Sequence, residues 1–149
     1  MKIEVMSRQK AKMFSKYSHN EKIAVISISD CDKTFPHLDN NPQNGILFQC
    51  KLHFDDVESG GSNCITDKDA VRIASFVNSI KDKADLLIVH CEAGISRSSG
   101  VAAAIMKFLH NNDTPIFNNT LFCPNMTCYR KILDAFYEIQ EDSNNDEDN

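Results

Sequence analysis

The amino-acid sequence predicts an α/β fold, with a central, mostly parallel sheet flanked by helices. Three observations carry this expectation. Apolar runs of strand length alternate along the chain with segments of helical period. The run Leu86-Leu87-Ile88-Val89 is apolar at successive positions, as an inner strand covered on both faces must be. It ends at His90-Cys91, and the small residues Ala93 and Gly94 lead into a helical pattern with Val101, Ala104, Ile105, Phe108 and Leu109 on one face. A cysteine therefore stands at the carboxyl end of a strand, on a loop entering a helix. Open α/β sheets bind their ligands there.

The other elements follow in chain order. Residues 2–5 are short and β-compatible, and Ser7 is placed to cap a helix from Arg8 to about Tyr17. That helix carries Arg8, Lys10, Lys12 and Lys16, either a solvated face or a basic rim that attracts a phosphorylated ligand. Residues 22–29 predict a second strand on Ile23, Val25, Ile26 and Ile28. Residues 30–45 are rich in Asp, Asn and Pro and read as a loop, with His37 a candidate for a binding lip. Residues 46–54 predict a third strand that delivers Asp55 and Asp56 into a Gly60-Gly61 loop, a suitable carrier for a mobile carboxyl group. Thr66 and Asp69 have capping-box spacing for a helix over residues 67–81 that buries Ala70, Ile73, Ala74, Val77 and Ile80. After the central strand comes a helix over 98–110. Residues 111–124 read as irregular, and a last helix from Asn125 packs Tyr129, Ile132, Leu133 and Phe136.

Composition narrows the function classes. The chain has 149 residues, 42% hydrophobic and 25% charged, ordinary values for one globular domain over residues 1–140. Of its 21 acidic residues, five lie in 141–149, which leaves 16 acids against 16 Lys and Arg. The acidic tail reads as disordered. The neutral body has no electrostatic footprint for nucleic acid. No stretch has the length of a membrane span, and no apolar signal core opens the chain, so a cytoplasmic location without membrane contact is expected. The six cysteines are then expected as reduced thiols, and two Asn-x-Thr triplets at Asn118 and Asn125 carry no glycosylation reading. Cys123 and Cys128 are close in sequence but lack a second close Cys/His pair, so no metal site is expected.

The cysteine loop favours an anion. The backbone N–H groups of Glu92, Ala93, Gly94, Ile95, Ser96 and Arg97 form a nest at a helix N-terminus. Arg97, six residues after Cys91, offers a planar fork to two oxygens of a tetrahedral oxyanion. Such surroundings lower a cysteine pKa to roughly 3.5–7.5, which makes Cys91 a nucleophile aimed at the held anion. His90 ends a buried strand and reads as a structural group. Adjacent strand residues point to opposite faces, which argues against a Cys91–His90 base pair.

His90-Cys91, five residues, then Arg97-Ser98 resembles the signature of the cysteine-dependent protein tyrosine phosphatase superfamily, and Cys-Glu-Ala-Gly-Ile-Ser-Arg-Ser is most similar to its small dual-specificity branch. The resemblance spans about residues 46–137, and residues 1–45 match none of its motifs. It implies a fold of the phosphotyrosine protein phosphatase II type and hydrolysis of phosphate monoesters through a phosphocysteine, with no metal or cofactor. Cys91 is then the nucleophile. Arg97 and the N–H groups of residues 92–97 hold the equatorial oxygens. Ser98 donates to the cysteine sulfur, caps the helix, or does both, and His90 orients the loop. The family's general acid is an aspartate on a separate loop before the cysteine. Asp55 and Asp56 precede Cys91 by 36 and 35 residues, and Phe54-Asp55-Asp56 resembles an arrangement in which the second acid protonates the leaving group. That assigns Asp56, with Asp55 the alternative. Cys123-Pro124-Asn125 resembles the Pro-Asn before the last helix of dual-specificity members. The expected partner is a phosphorylated protein, modified on tyrosine and also on serine or threonine, with phosphate in the loop. The alternatives are an RNA 5′-triphosphate, a phosphoinositide, or a non-catalytic phosphate-binding module. A loop with Glu92 and no lysine counts against the phosphoinositide, and the neutral body counts against RNA.

Overall fold

The two most apolar strands lie inside the sheet, because both of their faces are covered. In the computed structural model, which describes residues 1–147, β1 (Lys2–Ser7), β2 (Ile23–Ser29), β3 (Ile46–His53) and β4 (Leu86–Cys91) form one parallel sheet in the order β1-β4-β2-β3. Period-two alternation sends Met6, Ile23, Val25, Leu86 and Ile88 to one face, where they meet Ala11 of α1 (Arg8–Ser15). Ala24, Ile26, Ile28, Leu87, Val89 and Cys91 belong to the larger core on the other face, with α2 (Asp67–Ile80), α3 (Arg97–His110) and α5 (Met126–Glu147). The predicted α/β class and inner-strand position of β4 are what the fold shows.

Local signals account for the helix starts. The Ser7 hydroxyl accepts the Lys10 N–H at 3.1 Å, and Thr66 and Asp69 exchange capping bonds of 3.0 Å each. The predicted apolar stripe of α2 is the buried one: Ala70, Ile73, Ala74, Val77 and Ile80. At Gly100 a side chain would collide with the backbone carbonyl of Asn125, so this glycine lets the start of α5 reach the first turn of α3.

Parallel neighbours are usually joined by a crossover helix. Between β2 and β3, residues 30–45 take that place as irregular chain. They are pinned to the end of α1: Asp39 N–H donates to Ser15 Oγ at 2.8 Å, and Asn44 Nδ2 donates to the Ser15 carbonyl at 2.9 Å.

Three expectations need correction. Helix α1 ends at Ser15, short of Tyr17, and residues 111–124 contain one short helix, α4 (Thr114–Phe117), with proline in its first turn. The acidic tail expected to be disordered from residue 141 continues α5 through Glu147, while residues 148–149 lie outside the described residues. Ile132 and Phe136 are buried and Ile139 packs against the core. The helix is thus already nucleated, and extending it costs only propagation. Among the described residues no helix is long and apolar enough to cross a membrane.

Candidate active site

Because β2, β3 and β4 are parallel, their carboxyl ends open on one edge of the sheet. Asp30, the Asp55-Asp56 pair and the Cys91 loop all emerge there. Cys91 is 3% exposed, and its Sγ lies 3.0 Å from Ser98 Oγ in the first turn of α3. At Gly94 φ is +71°, and a side chain there would come within 2.6 Å of the Met6 and Ser7 backbone, so glycine is required on both counts.

The loop carbonyls are tied outward. Glu92 O accepts from Arg8 N–H at 3.1 Å, Ile95 O from Cys123 N–H at 3.0 Å, and Ser96 O from Asn125 N–H and Gly100 N–H, each at 3.0 Å. Among the described residues, the N–H groups of Ala93, Gly94, Ile95, Ser96 and Arg97 donate to no protein acceptor. That leaves a concave set of donors for an oxyanion.

Arg97 is 5% exposed and held by one nitrogen. Its Nη1 donates to the Phe54 carbonyl at 2.8 Å and to Asp30 Oδ1 at 2.7 Å. Both hydrogens of that nitrogen are thereby used. The Nε–Nη2 edge has no partner among the described residues, and two parallel N–H groups on one edge suit two oxygens of a phosphoryl group.

The two candidate acids differ in their surroundings. Asp55 Oδ1 accepts the Cys31 N–H at 2.9 Å and its Oδ2 accepts Asn63 Nδ2 at 3.1 Å. The Cys31 backbone bond foremost, helped by the Asn63 amide, holds the Asp55 carboxyl below the usual range, against a smaller opposing effect of desolvation. Asp56 Oδ1 accepts Ser96 Oγ at 2.8 Å and Asn125 Nδ2 at 3.0 Å. Its Oδ2 accepts no hydrogen bond and forms no ion pair among the described residues. Asp56 thus leans on the cysteine loop itself with one oxygen uncommitted. Glu58 anchors the same segment through the Met126 N–H at 3.1 Å.

Ser98 is fully buried beside the sulfur, and the N-cap position of α3 belongs to Ser96. The expected capping role of Ser98 is therefore corrected, because the helix begins at Arg97, one residue before the predicted start. The His90 ring lies on the opposite face of the strand from the Cys91 thiol, with Nε2 2.7 Å from Ser27 Oγ of β2 and Nδ1 3.5 Å from the Cys91 carbonyl oxygen. Burial lowers its pKa from 6.5 to about 4. The unfolded chain therefore takes up a proton near pH 6.5 while the folded chain does not. Stability is full above that value and is expected to fall by up to about 3 kcal/mol as pH drops from 6.5 towards 4. Urea midpoints across this range check it, and His90→Gln should flatten the slope. An unchanged slope in that variant assigns the acid sensitivity to other groups.

Asp30, Cys31, Asp32, Asp55, Asp56 and Arg97 line an open cleft of about 670 Å³ over the loop, which Glu92 also borders. Sequence reasoning missed Asp30 and the clamp made by Asn125. Asp30 carried one usable signal, its place directly after a strand. The 30–45 loop contributes through its first residues, while His37 is exposed and stands outside the cleft. Asp67 and Asp69 serve the start of α2. Among the described residues no group of three or more His, Cys, Asp or Glu side chains is arranged to hold a metal ion.

No family model and no curated protein matches the sequence. Among solved structures, the chain is similar to human tyrosine phosphatase-like serine/threonine/tyrosine-interacting protein, at 16% identity over 93% of this chain and 92% of that one, with a TM-score of 0.61. It is similar to human DUSP28, at 12% identity over 94% of each chain, with a TM-score of 0.60. It is also similar to PTPMT1 in complex with PI(5)P, at 14% identity over 95% of this chain and 94% of that one, with a TM-score of 0.61. The α/β fold, with four parallel strands between helices, is the fold of these phosphatase structures.

Proposed function

We propose that the chain hydrolyses phosphate monoesters on proteins, at phosphotyrosine and also at phosphoserine and phosphothreonine. The observation that carries this reading is the convergence of Cys91, the free edge of Arg97 and Asp56 on one loop of unpartnered N–H donors. The Ser98 hydroxyl, 3.0 Å from the sulfur, is placed to donate to it as it attacks and again as it leaves. Cys91 Sγ attacks phosphorus, and the bond to the ester oxygen breaks as Asp56 Oδ2 hands that oxygen a proton. Arg97 and the loop donors hold the equatorial oxygens throughout. Asp56 then takes a proton from water, the hydroxide oxygen attacks phosphorus, and the P–S bond breaks to release phosphate and the thiolate.

The PTPMT1 structure holds PI(5)P, which keeps a phosphoinositide reading in view. The carboxylates of Asp30, Asp32, Asp55 and Glu92 around this cleft oppose so anionic a headgroup, and they favour the protein substrate.

The test is hydrolysis of para-nitrophenyl phosphate and a phosphotyrosine peptide, both with EDTA present. Asp56→Asn is expected to lower kcat on the peptide by about 10²–10³-fold and less on para-nitrophenyl phosphate, whose leaving group needs less help from a proton. Asp55→Asn should have the smaller effect. If Asp55→Asn gives the larger, peptide-selective loss, the acid role moves to Asp55. Folded wild type inert on every phosphate ester would overturn the proposal.

A further inference from the structure

A second groove adjoins the cysteine loop. Arg8, Lys12 and Lys16 recur every four residues and so share one face at the surface of α1 and its C-terminal end. With Met13 and Glu92 they border a groove of about 460 Å³. Glu92 also borders the cleft that Arg97 lines, so the two depressions meet at the loop. The bond from Arg8 N–H to the Glu92 carbonyl fixes them relative to each other.

The cations of this groove keep donors to spare. Arg8 Nη1 donates to the Thr34 carbonyl at 2.7 Å and to Ser29 Oγ at 3.4 Å, while Nε and Nη2 have no partner among the described residues. Neither Arg8, Lys12 nor Lys16 forms an ion pair among the described residues. The adjoining cleft is lined instead by Asp30, Asp32, Asp55 and Asp56, together with Arg97. The two depressions that share Glu92 therefore differ in charge, the α1 groove carrying three cations and the cleft four aspartates beside Arg97.

Resting on the hydrolase reading, we propose that the α1 groove is a substrate subsite. The phosphopeptide crosses Glu92 with an anionic flank on Arg8, Lys12 and Lys16, and its other flank, over Asp30 and Asp32, carries no acids. Lys12 and Lys16 stand about 6 and 12 Å beyond Arg8 along the helix. That length matches about two to four residues of extended peptide. The anionic group is a carboxylate or a second phosphoryl group, since both pair with lysine and arginine.

The experiment compares kcat/KM for phosphotyrosine peptides with glutamates two to four positions before the phosphoresidue, after it, or replaced by alanine. A further peptide carries a second phosphoresidue in place of one glutamate, and a short-chain PI(5)P is run beside them. Wild type is expected to prefer one acidic side over alanine by about tenfold, with the preference fading at high salt. Lys12→Glu/Lys16→Glu should bring that ratio below one, and Lys12→Ala/Lys16→Ala should bring it near one. The ratio is taken within each variant, so a general loss of activity cancels. The larger gain, from glutamate or from phosphate, names the anionic group. Equal rates for all flanks, equal gains on both sides, or a ratio unmoved by the variants overturns the subsite. Faster turnover of PI(5)P than of any peptide overturns it in favour of a lipid headgroup. Wild type inert towards para-nitrophenyl phosphate as well would instead remove the hydrolase reading beneath it.

Discussion

Cys91→Ser is expected to abolish turnover of every phosphate ester, a loss on the order of 10⁶-fold, while the site still binds phosphate. The substitution changes one atom in a group that is 3% exposed and already faces a hydroxyl, Ser98 Oγ, at 3.0 Å. The fold therefore has little to repack. A serine hydroxyl is a far poorer nucleophile than a cysteine sulfur, and an alkoxide leaves phosphorus far less readily than a thiolate. The loop N–H groups and Arg97 are untouched, so calorimetric titration with inorganic phosphate should give affinity near wild type. Retained turnover would remove the covalent route. Lost turnover together with lost phosphate binding would instead point to a collapsed loop.

Arg97→Lys should lower kcat/KM by about 10³-fold or more. In the proposed mechanism the guanidinium has two tasks, because Nη1 is spent on the Phe54 carbonyl and Asp30 while the Nε–Nη2 edge is left for phosphoryl oxygens. An ammonium has no second edge. It either pairs with Asp30 or turns to the anion, and in the second case the buried Phe54 carbonyl loses its donor at a cost of about 1–3 kcal/mol. Urea denaturation should show that cost beside the kinetic loss. Asp30→Asn keeps an oxygen for Nη1 and should cost less than tenfold. If Arg97→Lys stayed within tenfold of wild type, Arg97 would be a structural residue and the loop alone would hold the oxyanion.

Much of the site was legible because its core is local. From Cys91 to Ser98 the proposed nucleophile, the loop donors, the arginine and the sulfur's partner lie within one strand–loop–helix unit, and strand alternation alone puts the His90 ring and the Cys91 thiol on opposite faces. Helix starts were legible for the same reason, as the caps at Ser7 and Thr66 are decided within three residues. The tail of α5 was misread because composition describes isolated chain, whereas residues after Phe136 extend a helix that packing has already formed.

The sequence by itself determined the fold class through periodicity, and short-range spacing with the family resemblance singled out the candidate anion loop and the two candidate acids. Only the tertiary structure decided between the acids' surroundings. Asp56 meets Ser96 and Asn125 across 40 and 69 residues of chain, and Arg97 meets Phe54 across 43. Those meetings depend on the strand order β1-β4-β2-β3, on parallel register, and on the close approach that Gly100 permits between α3 and the start of α5. Asp30 at Arg97, and α1 beside Glu92, arise the same way, from which strands become neighbours. No local pattern encodes that, because neighbours in a parallel sheet are chosen by the burial of whole faces.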